Sequence, residues 1–312
     1  MKENKTGIVS KAFGLFYAVK YNNEFINCVI RGKIRQSKEL KKYSDPVAVG
    51  DIVDISINDD GTGVINQILS RKNIFSRKEK GRNKKEDIIA CNLDLVAIVQ
   101  AFKNPRLNLR FIDRLIIRCE KEKIPVLVCI NKSDLADKEI IKYINDYYYN
   151  AKIKLLLTSS VSGEGMQELK NCLSGKTSLL VGSSGVGKTS ILNYLSPELN
   201  LRVSEISKST NKGRHTTANA EMVYLSDNIT IIDTPGVREF GLMDIEPHML
   251  GYYFSEFNDY LDKCIYNPCT HDHEPECEVK KQVENGTIFK DRYVSYLNIL
   301  NSLKEYYRMK YK

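Results

Sequence analysis

The sequence lacks any apolar run that approaches the roughly 20 residues of a membrane-spanning helix. Its first residues, 1–10, are polar and contain lysine, unlike the apolar core of a secretory signal peptide. It also contains no internal repeat and no low-complexity tract. We therefore expect a cytoplasmic protein without a membrane partner, and we expect it to be a monomer.

The chain has 312 residues, of which 42% are hydrophobic and 28% charged, as in soluble globular proteins of two or three domains. Its net charge of +8 by itself favours a polyanionic partner only weakly. The basic residues are, however, concentrated in two stretches. These contain Arg31, Lys33, Arg35, Lys38, Lys41 and Lys42, and then Arg71, Lys72, Arg77, Lys78, Lys80, Arg82, Lys84 and Lys85. They are either two solvated loops or, as we favour, a footprint for nucleic-acid phosphates.

The eight cysteines fall into two groups. Five are scattered, mostly among apolar residues, and these are Cys28, Cys91, Cys119, Cys129 and Cys172. This placement predicts reduced cysteines in the core of a cytosolic protein. The other three belong to the pattern Cys264-x₄-Cys269-x-His271-x₅-Cys277. Three thiolates and one imidazole are a typical closed zinc set, with His273 as an alternative ligand, so we expect one structural Zn²⁺.

Residues 1–73 contain short β-prone runs separated by turn signals such as Asp59-Asp60-Gly61. The runs are 14–19, 25–30 and 51–57. Short strands and a long basic loop predict a small RNA-binding barrel. An OB-fold is our preferred interpretation, although periodicity alone does not distinguish it from an SH3-like barrel. The Lys- and Arg-rich stretch 71–87 is predicted to be a linker.

Residues 74–245 form the second predicted domain, in which strands alternate with helices from about residue 88 onward. Continuous apolar runs such as 93–99 and 125–130 are typical of buried parallel strands. The alternation predicts a doubly wound α/β sheet with its ligand at the carboxyl ends of the strands. The third predicted domain, 246–312, is mostly helical and contains the cysteine pattern and a Tyr- and Lys-rich helix.

A phosphate-binding loop of the form G-x-x-x-x-G-K-[ST] follows the apolar strand 179–181. It comprises Gly182, Ser183, Ser184, Gly185, Val186, Gly187, Lys188 and Thr189, and Ser190 belongs to the helix that follows. The glycines allow backbone N–H groups to approach the β-phosphate of a nucleotide. Lys188 is expected to contact the β- and γ-phosphates, and the Thr189 hydroxyl is expected to bind Mg²⁺.

A second element, Asp233-Thr234-Pro235-Gly236, ends the apolar strand 229–232. Asp233 is expected to hold Mg²⁺ through water, and the Gly236 N–H is expected to contact the γ-phosphate. Many GTPases carry a glutamine shortly after this element to orient the attacking water. Here Val237 follows, and an aliphatic side chain cannot orient water by hydrogen bonding. We therefore expect slow intrinsic hydrolysis.

The segment Gly213-Arg214-His215-Thr216-Thr217 lies between these two elements, where a switch loop belongs. Thr216 and Thr217 are both candidates to bind Mg²⁺ when the nucleoside triphosphate is bound. His215 either positions the attacking water or belongs to a basic loop without a catalytic role. The sequence leaves both interpretations open.

The segment Asn131-Lys132-Ser133-Asp134 ends the strand at 125–130 and fits the N-K-x-D element that recognises guanine. The Asp134 carboxylate can accept hydrogen bonds from guanine N1 and N2, a donor pair that adenine lacks. Asn131 is expected to bridge to a neighbouring loop, and the stem of Lys132 to pack along the base. The small residues Thr158, Ser159 and Ser160 suit a loop that closes over the base. GTP and GDP are therefore the predicted ligands, in preference to those of an ATPase or kinase.

The order of these elements is unusual. In an ordinary small GTPase N-K-x-D comes last, whereas here it precedes the phosphate-binding loop. A site is built in space, so the chain order need not follow the site order as long as the sheet still forms. The order therefore predicts a circularly permuted GTPase.

Together these elements resemble the ribosome small-subunit-dependent GTPases, the RsgA/YjeQ family, across nearly the full length. The matching segments are 184–188, 213–217, 233–240 and the cysteine pattern. The resemblance implies an N-terminal OB-fold, a permuted GTPase core and a C-terminal zinc domain. It also implies GTP hydrolysis stimulated by the small ribosomal subunit and its rRNA, late in subunit maturation. One departure is Glu276, which stands where glycine is expected before the last cysteine.

Two functions remain in competition at this level. The first is an enzyme that acts as a timer: it binds an RNA particle, hydrolyses GTP and leaves. The second is a binding protein that senses nucleotide with negligible turnover. Intact Lys188, Thr189 and Asp233 favour the enzyme, whereas Val237 is compatible with the binding protein.

Overall fold

The fold is taken from a computed structural model. It describes residues 5–35, 40–78, 85–200, 220–225, 228–234, 240–242 and 244–310. Four of the predicted site residues, His215, Thr216, Thr217 and Gly236, lie outside the described residues, as does Val237. The same holds for four members of the basic stretches, which are Lys38, Lys80, Arg82 and Lys84. The predicted roles of these residues therefore stay predictions.

The N-terminal segment is a closed five-stranded barrel. Its strands are β1 (Lys5–Phe13), β2 (Phe16–Tyr21), β3 (Glu24–Ile30), β4 (Ile52–Ile57) and β5 (Gly63–Ile68), with a short helix α1 (Gly32–Arg35) after β3. The strand order is β1-β2-β3-β5-β4, and the pairing of β1 with β4 closes the barrel. Because β3 and β5 are parallel and the other pairs antiparallel, this is the Greek-key barrel of an OB-fold, as predicted.

Alternation along the strands explains the barrel core. In β2, for example, Tyr17 and Val19 are fully buried, whereas Phe16 points outward. The strand β1 was not predicted, because its apolar residues are separated by glycine, serine and lysine. Its inward residue Val9 nevertheless packs in the same core, since pairing on both sides holds β1 in place.

The stretch predicted to be a linker is a β-hairpin instead, so that prediction was wrong. Strand β6 (Ile74–Lys78) pairs antiparallel with β7 (Glu86–Cys91). Its charges concealed the pair formed by Phe75 and Ala90, which lie in register and are both fully buried. The outward Arg77 donates to the Asp87 carboxylate across the pair, at 3.1 Å. The second basic stretch therefore supplies a cross-strand ion pair as well as exposed charge.

Within its described residues, the central segment contains six further strands and four helices. The strands are β8 (Leu95–Ala101), β9 (Val126–Asn131), β10 (Lys154–Leu157), β11 (Thr177–Gly182), β12 (Glu221–Leu225) and β13 (Ile229–Asp233). The helices are α2 (Leu109–Lys121), α3 (Lys138–Tyr148), α4 (Met166–Leu173) and α5 (Lys188–Leu195). Short 3-10 helices lie at Ser133–Leu135 and Pro197–Leu199.

The sheet is doubly wound, as predicted. Its order is β10-β9-β8-β11-β13-β12, and the first five strands are parallel. The central strand β8 is buried along its whole length and contributes alternate residues to two apolar clusters, one on each face of the sheet. One cluster includes α2 and α3, and the other includes α4 and α5. The edge strand β12 also pairs with β1, so the barrel continues the same sheet.

The C-terminal segment is helical. It contains 3-10 helices at Pro247–Tyr253, Ser255–Phe257 and Leu261–Lys263, followed by α6 (Glu278–Glu284) and α7 (Lys290–Lys310). Its apolar residues Phe254, Tyr296 and Leu300 belong to the same core cluster as α2. In this core the buried Arg292 guanidinium contacts the carboxylates of Asp113 and Glu256. The segment after residue 245 therefore packs against the helices α2 and α3 on one face of the sheet.

Among the described residues, no helix is both long and apolar enough to cross a membrane. None of the eight cysteines forms a disulfide, and four of the five scattered ones are buried. Burial raises the pKa of Cys28 to about 11 and that of Cys129 to about 12. These thiols are therefore protonated core residues, as predicted.

Candidate nucleotide and metal sites

The phosphate-binding loop joins the end of β11 to the start of α5. Its glycines are required by close contacts with neighbouring strands. A Cβ on Gly182 would lie 2.1 Å from the Val99 carbonyl oxygen. A Cβ on Gly187, which has a φ of +99°, would lie 2.2 Å from the Asn131 side-chain nitrogen. The loop is therefore pressed against β8 and the guanine element, and its backbone N–H groups are free of bulky side chains.

Lys188 places its charge inside this loop. Its Nζ donates to the carbonyl oxygens of Gly182 at 2.8 Å and Ser183 at 3.2 Å. Burial lowers the pKa of Lys188, and the nearby Asp233 carboxylate opposes that shift. The ammonium group is therefore held where an anionic phosphate would compensate its lost hydration.

Asp233 lies at the carboxyl end of β13, beside β11, in register with Leu180. Burial raises the pKa of Asp233 to about 6, although Lys188 opposes the shift. Its Oδ1 is buried and has no hydrogen-bond partner among the described residues. Thr189 is buried close to the start of α5. An unpartnered carboxylate oxygen and a threonine hydroxyl are the oxygen donors that Mg²⁺ prefers, so these residues fit that ion.

Asn131 links the guanine element to the phosphate-binding loop, as predicted. Its Nδ2 donates to the Val186 carbonyl oxygen at 2.9 Å, and its Oδ1 accepts from the Thr158 hydroxyl at 3.3 Å. Lys132, which has a φ of +62°, donates to the Gly185 carbonyl oxygen at 2.8 Å. Both side chains therefore hold the phosphate-binding loop against the end of β9.

Asp134 is exposed at the edge of the sheet, and Ser159 orients its carboxylate. The Ser159 hydroxyl donates to Asp134 Oδ1 at 2.5 Å and accepts from the Val161 and Ser162 N–H groups. Thr158 and Ser159 are fully buried, and Ser160 is half-buried. The structure thus brings together Asp134 and the serine-rich loop, as the sequence predicted.

Two residues near the site were not predicted from the sequence. Lys132 Nζ also donates to the carbonyl oxygen of Asn104, which lies in the loop after β8. The buried Gln100 amide lies 3.4 Å from the Ser183 hydroxyl. Both residues follow the predicted strand 93–99, and this position was the available signal, because the carboxyl edge of the sheet carries the ligand.

Cys264, Cys269, His271 and Cys277 form a compact cluster, and their ligand atoms all lie within 4.8 Å of one another. The His271 Nδ1 lies 3.6 Å from Cys264 Sγ and 3.3 Å from Cys277 Sγ. This donor set could hold one metal ion, and three sulfurs with one imidazole fit zinc. The alternative ligand His273 is exposed and outside the cluster.

The backbone around the cluster is held by the helix α7 and by a left-handed turn. The hydroxyl of Tyr293 donates to the His271 carbonyl oxygen at 2.7 Å, and that of Tyr296 donates to the Thr270 carbonyl oxygen at 2.6 Å. Glu276 has a φ of +52°, the conformation that explains why glycine is expected there. The turn forms with glutamate, so this departure leaves the four ligands together.

The fold and the site define a circularly permuted GTPase. A phosphate-binding loop, a buried acid at the end of the adjacent strand and a guanine element meet at one edge of the sheet, and the guanine element comes first in the chain. The RsgA GTPase family model matches residues 68–243, and the model of the RsgA N-terminal domain matches residues 6–65. The chain belongs to the RsgA GTPase family, and it hydrolyses GTP.

Similar proteins support this assignment over the whole length. The small ribosomal subunit biogenesis GTPase RsgA of Flavobacterium johnsoniae is 39% identical over 310 residues, which are 97% of this chain and 95% of the relative. The crystal structure of YjeQ from Thermotoga maritima is 32% identical with a TM-score of 0.76, over 96% of this chain and 99% of that one. YloQ, a circularly permuted GTPase, is 27% identical with a TM-score of 0.71, over 97% and 96%.

Proposed function

We propose that this GTPase binds the small ribosomal subunit through rRNA during late subunit maturation, and that the subunit stimulates GTP hydrolysis. The observation that carries the proposal is the near full-length similarity to a small ribosomal subunit biogenesis GTPase. The barrel supports it, because an OB-fold with exposed basic residues is a common RNA-binding module. The proposal includes a cytoplasmic location and action as a monomer.

The nucleotide would bind along the carboxyl edge of the sheet. The residues assigned to it are Asn131, Lys132, Asp134, Thr158, Ser159, Ser160 and residues 182–190. In this assignment Asp134 accepts from guanine N1 and N2, and the loop N–H groups surround the β-phosphate. Lys188 approaches the β- and γ-phosphates, replacing its two carbonyl partners with phosphate oxygens.

Mg²⁺ would be held by Thr189 and, through water, by Asp233, and it would neutralise charge on the β- and γ-phosphates. Thr216, Thr217 and the Gly236 N–H stay candidates for the triphosphate state, as does His215 for water positioning. Val237 provides no hydrogen bond to water, so the isolated protein is expected to turn over slowly. Stimulation by a partner would then raise this slow GTP turnover.

The proposed RNA footprint is narrower than the sequence alone indicated. Arg31, Lys33, Lys41 and Lys42 are exposed around the barrel. The side chain of Arg71, by contrast, is only 9% exposed and packs against the fully buried Asp51, with its Nε 2.7 Å from Asp51 Oδ1. A guanidinium engaged in this way is unavailable to phosphates, because removing it would leave a buried carboxylate unpaired. We assign Arg71 to the junction between barrel and hairpin.

The proposed domains are 1–73, 74–245 and 246–312. The hairpin of β6 and β7 lies just after the first boundary and bonds back to the barrel, since the Ser44 N–H donates to the Glu86 carbonyl oxygen at 2.8 Å. The second boundary crosses a shared apolar core. A movement of the C-terminal segment would therefore change the packing around α2.

Small subunits at low salt are expected to raise GTP turnover strongly over that of the isolated protein. Glutamate at both Lys41 and Lys42 is expected to reduce this stimulation without changing nucleotide affinity, because these residues lie on the barrel. Raised salt should also reduce the stimulation of the wild type, since each phosphate contact releases a counterion on binding. Phosphate release, with and without subunits and across a salt series, is the measurement.

The matched control is glutamate at Lys138 and Lys142, two exposed lysines of α3 that give the same change in net charge. Stimulation of this control should stay close to wild type at each salt concentration. Equal turnover with and without subunits at low salt would contradict the proposed stimulation. Equal losses in both double variants would contradict the assignment of the contact to the barrel.

We propose that one structural Zn²⁺ occupies the cluster of Cys264, Cys269, His271 and Cys277. Chelation or Cys269→Ser is expected to remove stoichiometric zinc and to increase hydrogen exchange in residues 264–277 and α7, because metal binding orders the surrounding loop. GTP affinity should change little, since the nucleotide-binding loops lie elsewhere. Cys172→Ser, outside the cluster, is the control. Purified protein that contains no stoichiometric zinc would rule out the proposal.

A further inference from the structure

The outer face of the barrel strands β1, β2 and β3 carries an ordered set of side chains. The strand register aligns them in three rows, which are Phe13-Phe16-Val29, Lys11-Ala18-Asn27 and Ile8-Lys20-Phe25. Residues directly opposite in an antiparallel pair lie on the same face, and successive rows are about 7 Å apart. We call these nine residues the outer face.

The aromatic rings of the outer face are far more exposed than a core role requires. Phe13, Phe16 and Phe25 are 45%, 56% and 58% exposed. Leu15, in the turn between β1 and β2, is also exposed and adds to the first row. Isolated exposed apolar residues are normal, but a contiguous group indicates an interaction site.

Cations are interleaved with these rings, which distinguishes the outer face from a simple apolar patch. Lys11 Nζ lies 4.9 Å from the centre of the Phe13 ring. Lys20 Nζ lies 3.4 Å from the centre of the Tyr224 ring, which is itself 6.4 Å from the Phe25 ring. At the end of β3, the exposed Arg31 and Lys33 add positive charge. Rings beside ammonium groups suit a ligand that has flat bases and a phosphate backbone.

We propose that the outer face binds a single-stranded RNA segment, with unpaired bases stacked on Phe16 and Phe25. This inference rests on the proposed function and deepens it, because it names the form of RNA and the side chains that contact its bases. A duplex would present mainly phosphates and sugars and would leave the rings without stacking partners. Lys20 contacts a phosphate between stacked bases. Lys11 does the same, because its carboxylate partner Glu221 is 51% exposed and is rehydrated when Lys11 exchanges it for a phosphate.

The location of the outer face connects it to the nucleotide-binding sheet. Lys11 is in register with Glu221 of β12, and the two side chains form a salt bridge at 2.7 Å. In turn, Glu221 is in register with Asp233 of β13. The outer face therefore adjoins β12, which pairs with the strand that ends at Asp233.

The test measures the affinity of the isolated full-length protein for a labelled single-stranded oligouridine by fluorescence anisotropy, with an RNA duplex of equal length for comparison. Phe16→Ala and Phe25→Ala are each expected to weaken single-strand binding roughly tenfold, since base–aromatic stacking contributes about 1–3 kcal/mol per base. Leucine at either position should weaken binding similarly, because it keeps apolar area without a flat ring. The control is Tyr149→Ala, which removes a ring that is 82% exposed at the end of α3.

Salt dependence separates stacking from phosphate contacts. The slope of log affinity against log salt should be unchanged in the phenylalanine variants but smaller in Lys11→Gln, which loses a phosphate contact. Circular dichroism melting should match wild type, because the replaced rings lie outside the barrel core.

Three results would overturn the inference. The first is full affinity for oligouridine in the leucine variants. The second is an equal loss of affinity for duplex and single-stranded RNA in the alanine variants. The third is a phenylalanine variant that binds oligouridine normally but binds the small subunit more weakly. The last would identify a protein surface as the occupant. The proposed function is judged separately by subunit-stimulated turnover of the wild type. If small subunits did not stimulate the wild type, the hypothesis of a GTPase timer would be rejected. The oligouridine measurements would still test the outer face.

Discussion

Asp134→Asn is expected to lower GTP affinity roughly 100- to 1,000-fold and to create affinity for xanthosine triphosphate. The carboxylate can accept from both guanine N1 and N2, and hydrogen bonds to a charged group contribute about 1.5–3 kcal/mol each. An amide at this position presents a donor to the guanine edge, so one interaction becomes repulsive. Xanthine has a carbonyl in place of the amino group and accepts from that donor.

The structure strengthens this expectation because Ser159 already fixes the carboxylate through a 2.5 Å hydrogen bond. The measurement is equilibrium binding of labelled guanosine and xanthosine nucleotides to both proteins. Asp137→Asn is the control: it makes the same change on an exposed acid three residues later, and it should bind GTP as wild type does. Unchanged GTP affinity in the Asp134 variant would refute the assignment of guanine recognition to this residue.

Asp233→Asn is expected to abolish GTP turnover while stabilising the nucleotide-free protein at pH 7. The carboxylate is buried with an oxygen that has no hydrogen-bond partner among the described residues. An amide has no charge to desolvate, and Lys188 keeps its two carbonyl partners. The variant should lose the Mg²⁺ contact needed for hydrolysis, so stability and activity are expected to change in opposite directions.

The pH dependence of this stabilisation follows from the raised pKa of Asp233, about 6 in the folded protein against 3.8 for an ordinary aspartate. The folded state holds this proton more tightly than the unfolded state does. The contribution of Asp233 to the free energy of unfolding is therefore largest below pH 4 and is lost as the pH rises towards 6. Above pH 6 the asparagine variant should be more stable by about 1–3 kcal/mol.

Urea unfolding of the nucleotide-free proteins between pH 4 and 8 would measure this difference. Asp137→Asn again serves as the control, because it makes the same chemical change at an exposed position. If the Asp233 variant were less stable than wild type at pH 7, the interpretation of Asp233 as a destabilising, unpartnered buried charge would be wrong. If it hydrolysed GTP at the wild-type rate, Asp233 would have no role in Mg²⁺ binding.

The sequence by itself determined the class of site. The spacing in residues 182–189 admits little besides a phosphate-binding loop, because glycines and lysine are needed at those positions for backbone N–H groups and charge to meet a phosphate. Asp134 and Asp233 were located because each follows an apolar strand, and parallel strands bring their carboxyl ends to one edge. The four-residue metal cluster was equally local, since one loop carries all its ligands.

Tertiary structure decided whatever depends on partners distant in the chain. The sequence could not distinguish an OB-fold from another barrel, because the parallel pairing of β3 with β5 joins segments separated by a long loop. Charge along 71–87 suggested a linker, but contacts with Asp51 and Asp87 neutralise Arg71 and Arg77 and allow a hairpin. The outer face exists only through strand register, since Phe13, Phe16 and Phe25 come to lie on one face when three strands align. Local spacing specifies chemistry, whereas register and burial decide which charges and rings remain available to a partner.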